Sequence, residues 1–154
     1  MDKRFSCERL GSLIVVRLQG EPDAGDLEAC HADVVASCAA DGVAGVLYDL
    51  RQMAMPPAKV LFHQRMLDRQ PEATSLNRAV VVANILMGHL ARQAFSEGGC
   101  TVFYDDMTAA TRALLNDTPG SWALAVREER RIRERRVTRG RSGAGRRGIA
   151  TPSP

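Results

Sequence analysis

Aromatic residues are scarce, only 5% of a 154-residue chain. The core must therefore be packed with Val, Leu, Ala and Met. No apolar run approaches the ~18 residues of a bilayer span, and the opening MDKRFSCERL carries no apolar signal core. Neither a membrane span nor export is expected. The four cysteines, Cys7, Cys30, Cys38 and Cys100, form no C-x-x-C pair and stand at no zinc spacing. Cys30 and Cys38 fall eight apart on one predicted helix, about 12 Å along its axis, too far to bridge. Scattered thiols fit a reducing cytoplasm, and cytoplasmic is the expected location. There is no P-loop, no G-x-S-x-G and no G-x-G-x-x-G at a strand–helix junction. No metal and no cofactor are expected, and no nucleophile–base pairing points to an enzyme.

What is present is an ordinary globular balance, 45% hydrophobic and 25% charged, enough for a core without staples. The net charge of +3 conceals two objects. Residues 127–154 hold ten Arg against three Glu, which leaves −4 for residues 1–126. The reading is one domain over 1–117 and a basic extension over 118–154, helical to about 139 and then disordered by composition.

Two strands are predicted at 3–10 and 12–19, joined at Gly11-Ser12 as a hairpin. Asp23 caps a helix over 24–40, with Asp26 in its first turn. Its stripe is Leu27, Cys30, His31, Val34, Val35 and Cys38. VAGVLYDL (43–50) is apolar on both faces, as a central strand is. Pro56-Pro57 open a helix reaching about Arg69, with Ala58, Leu61, Phe62 and Met66 inward, and Pro71 stops it. A buried strand follows at 78–84. A helix at 85–97 then puts Leu86, Met87, Leu90, Ala91, Ala94 and Phe95 on one face. A short strand at 100–106 leads to a helix at 107–117, with Met107, Ala110, Thr111 and Leu114 inward. The alternation implies an α/β fold: a mainly parallel sheet of about five strands, an N-terminal hairpin and about four helices.

The pieces GVLYDLRQM, NRAVVVAN, HLARQAF and TVFYDDMTAATRALL, in that order, resemble the SpoIIAA-like branch of the STAS family (sulphate transporter and anti-sigma-factor antagonist domains). The resemblance covers roughly residues 3–117. It implies a STAS-like α/β sandwich that acts by binding other proteins, without catalysis. Antagonists of this family carry a phosphorylatable Ser just after the strand corresponding to 43–50. Here no Ser or Thr lies between Tyr48 and Thr74, so the resemblance does not bring a phosphate switch with it.

Two readings of the loop after 43–50 stay open. Asp49 and Arg51 are either a polar pair at a strand's carboxyl end, where open α/β sheets bind ligands, or an ordinary connection. Gln52 adjoins them. Met53 and Met55 are either an adaptable contact for a partner or acyl chain, or core filling. Asn84 and His89, with Arg92, are either a rim at the same end of the sheet or solvated residues. His31, with Val34 and Val35 at metal spacing, reads as a border residue, and His63 lies towards the exposed side of its helix. In the extension, Arg130, Arg131, Arg133, Arg135 and Arg136 can bind polyanions electrostatically. The stretch has few aromatics to stack bases, and its Glu residues can pair with Arg instead. The leading expectation is a protein-interaction module; the alternative is a carrier of a small apolar or lipid-like ligand, and nucleic-acid contact through the extension is a third.

Overall fold

A computed structural model of the chain describes residues 4–116. The predicted extension, with Arg130, Arg131, Arg133, Arg135 and Arg136, lies outside the described residues. Strands β1 (Phe5–Leu10) and β2 (Leu13–Gly20) form the expected hairpin, Phe5 opposite Leu18 and Leu10 opposite Leu13. Gly11, at φ +62, makes the reversal without a Cβ penalty. Helix α1 (Ala24–Cys38) opens on a capping box. The Asp23 carboxylate accepts the Asp26 N–H at 2.9 Å, and Asp26 accepts the Asp23 N–H at 3.1 Å.

Then come β3 (Gly45–Met53), α2 (Ala58–Asp68), α3 (Pro71–Thr74), β4 (Arg78–Val82), α4 (Ile85–Ala94), β5 (Thr101–Tyr104) and α5 (Met107–Asn116). The one unforeseen helix is α3, a single turn. Pro71, expected as the stop of α2, also starts that turn.

The sheet runs β1-β2-β3-β4-β5, antiparallel at β1 and parallel elsewhere. Each crossover from β2 onward advances one strand in the same direction. The right-handed rule then sends every crossover helix to one face. That face holds the larger core: Val16, Val46, Tyr48, Leu50, Val80 and Val82 pack with side chains of α1, α2 and α4. The opposite face is smaller, with Leu13, Val15, Leu47, Ala79 and Val81 against Ala110 and Leu114 of α5. The near-continuous apolar runs of β3 and β4 follow from having helices on both faces.

Three expectations are corrected. Strand β3 continues three residues past the predicted end, because β2 keeps pairing with it: Gln19 lies opposite Gln52 and Gly20 opposite Met53. Between the Arg17–Asp49 and Gln19–Gln52 pairs β3 carries one extra residue, a bulge. Helix α2 is turned from its predicted orientation. Val60, Leu67 and Asp68 are buried, whereas Phe62 is 66% and Met66 44% exposed, and Ala58 is exposed too. Burial of Asp68 against Arg78 sets this rotation. In α4, Leu86 is half-exposed rather than inward, and the helix ends at Ala94, with Met87, Gly88, Ala91 and Ala94 buried.

Candidate functional site

Strand periodicity puts Leu47, Asp49 and Arg51 on the face that α5 shares. Leu47 lies beneath α5 in the smaller core; Asp49 and Arg51 follow it toward the strand's carboxyl end. Asp49 is thus a strand residue, as expected, and only 9% exposed. Arg51 grips it in a fork, Nε to Oδ1 at 2.9 Å and Nη2 to Oδ2 at 3.0 Å, and the Arg51 backbone N–H donates to Oδ1 at 3.2 Å. The remaining Arg51 nitrogen, Nη1, donates to Asp105 Oδ1 at 3.2 Å. Asp105 follows β5, at φ +52, a conformation Asp tolerates better than most residues.

The Arg51 hydrogen bond holds the Asp49 carboxyl below its ordinary range, although burial opposes the shift. The same bonds push the Arg51 guanidinium up. Arg17, Gln19 and Gln52 join Asp49 and Arg51 around a cleft of about 300 Å³, where Arg17 meets Glu8 at 3.4 Å. An acid fixed in its ionised form has no proton to give near neutrality, and general acid–base work needs a value close to the working pH. Burial also pushes Tyr48 up, and raises the Cys100 thiol to about 11. Among the described residues no three His, Cys, Asp or Glu side chains gather as a metal site.

The other expected residues do not join this cluster. Met53 is half-buried and lies against the larger core, whereas Met55, in the connection before α2, is 63% exposed. The Asn84 side chain is taken up as the cap of α4, accepting the Met87 N–H at 2.9 Å. His89 faces the groove between α2 and α4, beside Phe62 and Arg65. Arg92 donates to the Tyr104 hydroxyl at 3.3 Å. The expected rim therefore divides: Asn84 caps α4, while His89 and Arg92 both line the α2–α4 groove. His31 is the expected border residue, 3.0 Å from Gln70 Oε1, and His63 is more buried than expected, meeting Glu28 at 2.9 Å.

Two features were missed in the sequence. Asp105 had only a weak signal, an Asp-Asp pair after a strand. The buried pair Asp68–Arg78 had a stronger one, an Arg heading the apolar strand RAVVV. A third feature is an apolar cavity of about 50 Å³ under α1, α2 and α4, bordered by Leu27, Tyr48, Met53, Leu61, Met87 and Leu90.

A single-wound mixed sheet with its crossover helices on one face and α5 on the other is the SpoIIAA-like, STAS-type α/β fold. The anti-sigma factor antagonist SpoIIAA, in its unphosphorylated form, superposes with a TM-score of 0.54 at 16% identity, covering 73% of this chain and 99% of that one. An uncharacterised protein with a SpoIIAA-like fold from Shewanella loihica gives 0.54 at 17% identity, covering 71% and 91%. An anti-sigma factor antagonist from Mycobacterium paratuberculosis gives 0.52 at 16%, covering 73% and 93%. At such identities the likeness is one of fold. No protein-family model matches the chain, and no curated protein matches it.

Proposed function

We propose that the chain is a non-enzymatic, cytoplasmic interaction or regulatory module with a protein partner. The STAS-like domain spans 1–117, and the basic extension 118–154 adds an electrostatic contact to polyanions. The observation that carries the reading is the set of large apolar side chains left in water at the heads of α2 and α4. Met55, Ile85 and Leu86 are 63%, 68% and 50% exposed. Exposed apolar groups clustered on one end of a domain mark an interaction surface more often than single ones do. Two anti-sigma factor antagonists share the fold, which supports a protein as the partner. Asp49, Arg51 and Gln52 then serve as a polar flank of that surface. With no hydroxyl residue between Tyr48 and Thr74, the module has no phosphate switch at the head of α2.

The size of the apolar cavity weighs against a carrier of lipid-like ligands. A dry apolar cavity known to hold benzene measures about 150 Å³, three times the space here. Affinity purification from the native host with wild type and a Met55→Glu/Leu86→Glu variant tests the proposal. A partner that copurifies with wild type should bind it again as a pure protein and bind the variant at least about tenfold more weakly. Equal binding of both proteins counts against this surface.

A further inference from the structure

We propose that the groove between α2 and α4 receives an acidic, amphipathic helix of the partner. This rests on the interaction-module reading and adds the chemistry of what is bound. Along α2, Ala58, Leu61, Phe62 and Arg65 recur at helical spacing. Opposite them stand His89, Arg92 and Gln93 of α4 and Ser96 of the turn that follows it. The two sets face each other across an open groove of about 650 Å³. Leu61, half-buried, and Phe62, two-thirds exposed, supply its apolar surface, and Ile85 stands one turn before His89 on α4.

Charge selects the occupant. Residues 1–126 carry −4 with eleven Lys and Arg, yet four of those eleven, Lys59, Arg65, Arg69 and Arg92, lie on these two helices or at the end of α2. Neither helix exposes an acid of its own: α4 contains none, and Asp68 of α2 is buried against Arg78. Glu97, just beyond α4, is 3.7 Å from Arg65 and 3.3 Å from Arg69. It leaves Lys59 and Arg92 uncompensated by their own helices. Arg65 and Arg92 in the lining, beside Leu61 and Phe62 on a domain of net negative charge, complement a helix with an apolar stripe flanked by Asp and Glu. The chain's own extension has the wrong sign, ten Arg against three Glu over 127–154. A membrane surface is met by an extended face of large apolar residues, whereas Leu61 and Phe62 are the only large apolar residues in the groove's lining. A nucleic acid would find one exposed aromatic ring here for stacking.

Selection from a random-peptide display library on the full chain tests this, with synthetic copies of the winners assayed by fluorescence anisotropy. The expected winners combine apolar residues at helical spacing with flanking Asp and Glu. They should bind about tenfold or more weakly to Phe62→Glu and to Arg65→Glu/Arg92→Glu, and lose affinity as salt rises. All substituted side chains are exposed, so circular dichroism should show both variants folded. Winners without acidic enrichment, or binding unchanged in both variants, overturn the proposal. Winners lost on Met55→Glu/Leu86→Glu but kept on the groove variants overturn the groove alone and leave the module reading standing. No winners, together with no copurifying partner, overturn both. Sedimentation with phosphatidylglycerol vesicles that Phe62→Glu abolishes, with no acidic winners, overturns the groove in favour of a membrane.

Discussion

At the scale of the residue, Arg78 and Asp68 matter most for the fold, with 2% and 0% of their surfaces exposed. Arg78 donates to Asp68 Oδ1 and lies over the Phe95 ring at 5.1 Å. Asp68 Oδ2 also accepts the N–H groups of Glu97 and Gly98, both at 3.0 Å. One carboxylate thus joins α2, β4 and the turn after α4. Gly98 is required there because a Cβ would overlap the guanidinium. Arg78→Met leaves a buried carboxylate uncompensated and should cost about 3–5 kcal/mol, read as a lower urea midpoint at unchanged slope. Adding Asp68→Leu should recover part of that loss but not all, since two backbone donors then lack an acceptor.

The pair Asp49–Arg51 predicts a pH dependence of defined sign. The folded-state value of Asp49 is depressed, so the unfolded chain takes up the proton first as pH falls. The stabilisation is complete above the ordinary carboxylate value of about 4 and fades as pH drops through the lower folded value. Arg51→Gln should therefore be less stable than wild type at pH 7, with the gap in urea midpoint closing on acidification. A gap constant down to pH 2 would show that the fork contributes nothing through Asp49. The sequence suggested that Asp49 and Arg51 belong together, because two steps along a strand bring side chains to one face. Asp105 was not legible, since its contact joins residues 54 apart in the chain.

At the scale of the element, periodicity located the helices well and their faces less well. The stripe of α1 was readable because Leu27, Cys30 and Val34 are both apolar and buried. For α2 the apolar stripe and the buried one differ: the buried side is completed by Asp68, a residue type that pattern reading assigns to water. The consequence is measurable. Phe62→Ser should change stability by less than about 0.5 kcal/mol, because the ring is mostly in water already. Leu67→Ala should cost about 2–5 kcal/mol. The reverse order in urea denaturation would restore the original assignment of the core face. Strand β3 outruns its local pattern for a related reason. Arg51 and Gln52 look like loop residues, but a paired neighbour with a bulge keeps them in the sheet.

At the scale of the whole molecule, strand order decides where a site can form. In doubly wound sheets ligands bind at the crevice where the order reverses. Here the order never reverses, so no switch-point crevice forms; ion pairs border a small cleft at the carboxyl end of β3, and the exposed apolar surface lies on the helices. This is why predictions of partner loss rest on Met55, Leu86, Phe62, Arg65 and Arg92 rather than on the acid at the end of β3. The sequence by itself determined the order of the strands and of every helix but α3, the hairpin, the capping of α1 by Asp23 and the absence of a hydroxyl from Leu50 to Ala73. All of these depend on neighbours in the chain or on composition. Only the tertiary structure decided the rotation of α2, the burial of Asp68 with Arg78, the reach of Arg51 to Asp105 and the cationic groove. Each of those depends on side chains of separate elements meeting; at Asp68 the buried carboxylate is paired with Arg78, because an uncompensated buried charge is strongly destabilising.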